Sequence, residues 1–246
     1  MKKILIVANW KMNPNTLEEA KNLFGLIKKG FGPATGGSTP RKSGGRTPLS
    51  KNLEIVICPP FIYLSLLGLK PYTLNPKLGA QNCSWEQKGA YTGEISPKML
   101  KNLGVEYVII GHSERRKYFK ETNGIIEKKL RAVIKLGLKP ILCIDKISQI
   151  PKDIENWKLK IENLIIAYEP LFAIGTGKAC SWQKAKEMRI KIRLLASEAN
   201  RILYGGSVNS QNAKDYIKQA GFDGLLVGGA SLDAKEFIKI IKNISV

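Results

Sequence analysis

Three residues set the question this chain raises: Lys11, His112 and Glu169. Each follows a short apolar run, Ile4–Ala8, Tyr107–Ile110 and Leu164–Tyr168 respectively. A carboxylate at the tip of a buried strand is costly unless something uses it. A carboxylate to take a proton, an imidazole to donate one and an ammonium to hold negative charge together form an acid–base set. Asn9 accompanies Lys11, and Glu114 follows His112 by two residues. Further along, Tyr204-Gly205-Gly206-Ser207 and Gly228-Gly229 bring hydroxyl and backbone N–H groups, which suit a phosphate. After Glu169 comes Pro170 and then Ala173-Ile174-Gly175-Thr176-Gly177, small and glycine-bearing.

Taken singly, each feature has a plainer reading. Lys11 is an ordinary surface lysine, Glu169 a member of a buried ion pair, His112 structural and Gly228-Gly229 a turn. Gly175-Thr176-Gly177-Lys178 resembles a nucleotide loop, but Phe172 stands where the first glycine belongs and Ala179 follows the lysine. What joins these residues is their common placement just past apolar runs.

Those runs must be positioned by something, and their repetition says what. Strand candidates fall at Ile4–Ala8, Leu53–Cys58, Gly79–Cys83, Tyr107–Ile110, Pro140–Ile144, Leu164–Tyr168, Ile202–Tyr204 and Gly224–Val227. Amphipathic stretches lie between them, among them Thr16–Lys29, Asn123–Leu136, Ser181–Ala199, Ser210–Ala220 and Leu232–Ile241, with Asn123, Ser181 and Ser210 as expected N-caps. Eight strands alternating with helices in 246 residues predict a single-domain α/β protein, a closed (β/α)8 barrel over residues 1–246. In such a barrel, polar residues past the strand C-termini converge on one mouth. An open doubly wound sheet is the alternative, but its dinucleotide fingerprint is missing after the first strand, where Asn9-Trp10-Lys11-Met12 stands.

Composition narrows the function further. A hydrophobic content of 43% suits a packed core. No run reaches the roughly 18 apolar residues of a membrane span. The apolar run at the N-terminus is too short for a signal peptide, which predicts a cytoplasmic protein. Four dispersed cysteines and one histidine disfavour a zinc site and fit reduced thiols. The formal charge of +20, from 40 Lys+Arg and 20 Asp+Glu, favours anionic ligands. Aromatic-spaced basic motifs are lacking, so specific nucleic-acid binding is not expected. The stretch at about 32–50, rich in Gly, Ser, Thr and Pro and free of acids, is expected to be a basic loop inserted between the first helix and the second strand.

With these segments in view, the sequence resembles triosephosphate isomerase along nearly its whole length. The carrying segments are Ala8-Asn9-Trp10-Lys11-Met12-Asn13, Gly79–Ser84 with Gly89-Ala90-Tyr91-Thr92-Gly93-Glu94, Ile110-Gly111-His112-Ser113-Glu114-Arg115-Arg116, Ala167-Tyr168-Glu169-Pro170, Tyr204-Gly205-Gly206-Ser207-Val208 and Val227-Gly228-Gly229-Ala230-Ser231-Leu232. The resemblance implies the TIM barrel fold and the interconversion of dihydroxyacetone phosphate and glyceraldehyde 3-phosphate through an enediolate, without a cofactor or metal. It implies Glu169 as the base, His112 as a neutral electrophile and Lys11 as the fixed positive charge. Asn9 would sit beside Lys11, with Glu114 paired to it. Residues 170–180 would be a phosphate-gripping lid bringing in the Gly175 amide, with Tyr204 and Ser207 receiving it and Gly228 and Gly229 completing the cradle. Thr92 would insert into a neighbouring subunit of a homodimer.

Three features depart from the family pattern: the 32–50 segment, a short connection of Pro151–Glu162 expected to be helical, and Leu171-Phe172 with Asp145-Lys146 in place of Val-Trp and Gly-Glu. The last pair removes a donor and an acceptor together, which is nearly neutral and predicts altered lid kinetics with the chemistry retained. Two other functions compete at this stage. One is a different phosphate-binding barrel enzyme using Ser207 and Gly228-Gly229. The other is a polyanion-binding protein on the same scaffold.

Overall fold

A computed structural model describes residues 3–31, 52–68, 76–152, 161–173, 179–197 and 199–245. The segment 32–50, residues 153–160 of the helix expected over Pro151–Glu162, and Gly175 lie outside them.

Eight strands follow one another around a closed barrel: β1 (Ile4–Asn9), β2 (Leu53–Cys58), β3 (Lys77–Ala80), β4 (Tyr107–Ile110), β5 (Lys139–Ile144), β6 (Ile165–Tyr168), β7 (Arg201–Tyr204) and β8 (Gly224–Val227). Every neighbouring pair is parallel, and β1 closes on β8 with Leu5 opposite Gly224 and Ala8 opposite Val227. Gly224 is required at this seam, because a Cβ there would lie 1.9 Å from the Leu5 carbonyl oxygen.

The strands read as continuous apolar runs because both their faces are buried. Alternate residues divide into two layers. Leu5, Val7, Val56, Tyr107, Ile109, Ile141, Cys143, Ile165, Ala167, Leu203 and Leu226 fill one cluster inside the barrel. Ile6, Ala8, Ile55, Ile57, Val108, Ile110, Leu142, Ile166 and Ile202 pack against the helices. The two-residue period then fixes the mouth. Two positions beyond Val7 comes Asn9, and two beyond Ala167 comes Glu169, so both continue the inward row.

The helices are α1 (Leu17–Phe31), α2 (Phe61–Gly68), α3 (Pro97–Asn102), α4 (Ser113–Tyr118), α5 (Asn123–Lys135), α6 (Trp182–Leu195), α7 (Ala213–Lys218) and α8 (Ala234–Ile244). Thr16 and Glu19 form a reciprocal capping box on α1, each accepting the other's backbone N–H, at 3.2 and 3.1 Å. Ser181 caps α6 as expected, accepting from the Lys184 N–H. Two expected caps fall elsewhere. Thr122, not Asn123, caps α5, because the Asn123 side chain is taken by Arg116. Ser210 does not cap α7, because its N–H and hydroxyl go to the Glu236 carboxylate of α8. Strand β3 begins at Lys77 and ends at Ala80, so Gln81 to Cys83 belong to the rim rather than to the sheet.

Candidate active site

The rim of the barrel at the strand C-termini carries Asn9 and Lys11. Lys11 has φ +54, a left-handed backbone that costs a non-glycine residue about 1–3 kcal/mol. Two side chains hold it there. The Asn9 Oδ1 accepts the Lys11 N–H at 3.0 Å. The Gln81 Nε2 donates to the Lys11 carbonyl at 2.8 Å and to that of Cys58 at 2.9 Å. This bend carries the ammonium across the mouth, where Lys11 Nζ meets Glu114 Oε1 at 2.5 Å. Gly228 leaves the space the lysine needs, since a Cβ there would stand 3.2 Å from Lys11 Cε.

His112 is the N-cap of α4, and its Nδ1 accepts the Glu114 N–H at 3.3 Å. An imidazole that accepts at Nδ1 carries its proton on Nε2. That nitrogen faces Glu169 Oε1 at 3.2 Å. The local sequence makes this cap: β4 ends at Ile110, Gly111 turns the chain with φ +70, and His112 starts the next helix.

Glu169 is 2% exposed and reaches its place through an N–H that extends the ladder to the Ile144 carbonyl at 2.7 Å. Its Oε2 accepts the Ser113 N–H at 3.2 Å. Cys143 of β5 lies against the same carboxylate. Burial, together with the Glu169 charge and hydrogen bond, pushes the Cys143 thiol well up, so it stays protonated. Gly205 has no side chain because a Cβ there would stand 2.9 Å from Glu169 Cγ. Arg116 braces the floor behind His112 and Glu169, donating to the carbonyls of Gly111 at 2.8 Å and Cys143 at 3.3 Å.

Past the end of the neighbouring strand β7, Ser207 has φ +27 and donates its hydroxyl to the Ala173 carbonyl. Tyr204 accepts the Cys180 N–H at 3.2 Å. A 3-10 turn, Gly229–Leu232, begins directly after Gly228, which is held by Ser231. Lys11, Ser113, Glu114, Asp145 and Leu171 line a cavity of about 660 Å³ at this rim.

The structure thus gathers Asn9, Lys11, His112, Glu114 and Glu169 into one cluster, with Gly228 against Lys11, Ser207 against Ala173 and Tyr204 against Cys180. Thr92 stands elsewhere, exposed in the loop between β3 and α3. Gln81 is a residue that sequence reasoning missed. It was placed inside the third strand, where it could not be a rim residue. Arg116 and Cys143 lie within the His112 segment and the fifth apolar run, but no local pattern encodes the contacts they make on the floor of the site.

The triosephosphate isomerase family model matches residues 4–244. The chain belongs to the triosephosphate isomerase family. Among similar curated proteins is the triosephosphate isomerase of Thermodesulfovibrio yellowstonii, 45% identical over 262 residues, covering 98% of this chain and 100% of that protein. The triosephosphate isomerase of Alkaliphilus oremlandii is 41% identical, with 98% and 99% covered. That of Aquifex aeolicus is 40% identical, with 96% and 98% covered. Family membership makes the chain an isomerase built as a (β/α)8 barrel. No helix among the described residues is long and apolar enough to cross a membrane.

Proposed function

We propose that the chain interconverts dihydroxyacetone phosphate and D-glyceraldehyde 3-phosphate, with Glu169 as the proton-transferring base. The observation that carries this reading is the convergence of the Glu169 carboxylate, His112 Nε2–H and Lys11 on one mouth. Glu169 takes a proton from C1 of the ketone, and the electron pair flows toward the C2 oxygen to give an enediolate. His112 donates its Nε2–H to the developing oxyanion and moves a proton between the two oxygens. Lys11 stabilises the negative charge, and each such preorganised donor is worth about 3–4 kcal/mol of barrier. Glu169 then returns the proton to C2, completing the aldehyde. Both Glu169 oxygens are engaged, by Ser113 N–H and His112. Substrate must displace those bonds, which holds the base in place until it is needed.

The phosphate falls to Ser207, Gly228 and Gly229, with Gly175 as a further donor. Asn9 and Glu114 keep Lys11 aimed, and Tyr204 holds the end of the segment after Glu169. Closing that segment excludes water, and an enediolate exposed to water would eliminate its phosphate. No step in this chemistry requires a cofactor.

The protein acts as a homodimer, with Thr92 contributed to the neighbouring subunit. Supporting this are Tyr91 and Trp85 on the same projecting loop, 48% and 36% exposed, and Met12 at 90% beside the mouth. Four buried free thiols suit a reducing cytoplasm. A coupled dehydrogenase assay on glyceraldehyde 3-phosphate tests the reading. Turnover of at least about 10² s⁻¹ is expected for a fully equipped enzyme, and no turnover would remove it.

A further inference from the structure

Cys180 follows Ala179, where the described residues resume, and stands one residue before the cap of α6. Its peptide is held at both polar ends by tyrosines from two other elements. The Cys180 N–H donates to the Tyr204 hydroxyl at 3.2 Å, and the Tyr216 hydroxyl donates to the Cys180 carbonyl. The two hydroxyls therefore grip one peptide, Tyr204 at its N–H and Tyr216 at its carbonyl. Burial pushes both phenols up, and both keep their protons.

The rings make this arrangement rigid. Tyr204 and Tyr216 stack with centroids 3.7 Å apart and planes at 15°, and Phe222 meets Tyr204 edge-on at 5.6 Å. Tyr204 and Tyr216 are 0% and 2% exposed. A phenylalanine at 216 would fill the same slot and keep the stack. A hydroxyl there is costly to bury unless bonded, and the bond it makes is to Cys180. Three residues past Tyr204, Ser207 holds the Ala173 carbonyl. The two ends of the connection from β6 to α6 are therefore tied to the tip of β7, which leads to the phosphate-side residues.

We propose that Tyr216 is a positioning residue for the isomerisation: its hydroxyl holds the Cys180 carbonyl while Tyr204 holds the Cys180 N–H, and so orders the side of the mouth that grips the substrate phosphate. The inference rests on the function proposed above. It predicts that binding energy from the phosphate reaches the chemical step less well when the hydroxyl is removed.

The test compares Tyr216→Phe with wild type on glyceraldehyde 3-phosphate and on D-glyceraldehyde, which lacks the phosphate, with kcat/KM read for each. Loss of one hydrogen bond predicts a fall of about fivefold or more on the phosphorylated substrate. On the phosphate-free aldehyde the two proteins should agree within about twofold. Tyr204→Phe should show a similar loss, and the double variant should lose far less than the product of the two single losses, because both hydroxyls hold the one Cys180 peptide. Equal losses on both aldehydes, or none on either, would overturn the role of Tyr216. A wild type inactive on glyceraldehyde 3-phosphate would instead overturn the isomerase reading beneath it.

Discussion

His112 Nε2 stands 3.2 Å from Glu169 Oε1, while its Nδ1 accepts the Glu114 N–H at 3.3 Å. One bond from the start of α4 therefore decides which face of the imidazole carries the proton, and that face is the one turned to the Glu169 carboxylate. The helix that follows the fourth strand sets the chemistry of the mouth as well as its shape.

Removing this donor while keeping an amide of similar length tests its share. His112→Gln should lower kcat by about 10²- to 10³-fold and leave the unfolding midpoint close to wild type. Steady-state kinetics alongside thermal unfolding separate the two effects.

Gln81 offers a quieter target. Gln81→Leu removes the donor that pins the left-handed Lys11, leaving the carbonyls of Lys11 and Cys58 without it. The expected result is a fall in kcat/KM of roughly tenfold and a stability loss of about 1–2 kcal/mol. An unchanged kcat/KM would show that Asn9 alone holds the bend.

At the other end of the barrel lies a charge cluster that bears on stability. Burial raises the Glu54 pKa, but hydrogen bonds from Tyr107 at 2.6 Å, Arg201 at 2.6 Å and Lys77 outweigh it and bring the carboxyl to about 2. The folded value is below the unfolded one. Its contribution is therefore present above about pH 4.5 and is lost as pH falls toward 2. Denaturant unfolding at pH 7, 4 and 2.5 should show a decline of about 2–3 kcal/mol from this group. In Glu54→Gln that decline should be smaller, with lower stability at pH 7.

The loop bearing Thr92 provides the test of assembly. Thr92→Arg together with Tyr91→Asp should shift the protein toward monomer in sedimentation velocity and lower its activity, if this exposed loop completes a neighbouring mouth. A wild type that sediments as a monomer at micromolar concentration would contradict the dimer.

Much of this is legible in the amino-acid sequence. Leu53–Cys58, Tyr107–Ile110 and Gly224–Val227 occupy the residues their apolar runs mark, because strands buried on both faces write themselves as unbroken hydrophobic stretches. The short helices were harder to read. α2 is apolar all round and α4 reads Ser-Glu-Arg-Arg-Lys-Tyr, so neither shows a helical period. Of the site, the side chains that end strands were visible, and those that act from a distance were not. Tyr216 reaches a carbonyl 36 residues away, and no local pattern encodes that. Gln81 was hidden by an expected strand that ran three residues too far.

The central claim is that Glu169 carries the proton. The most direct measurement converts dihydroxyacetone phosphate in D₂O and follows deuterium at C2 of the product by NMR, for wild type and Glu169→Gln. The account predicts deuterium at C2 for wild type. For the variant it predicts a rate lower by at least about 10³-fold, with substrate affinity changed by no more than a few-fold. Retained deuterium incorporation at a rate near wild type would contradict it, and the base would then lie elsewhere in the mouth.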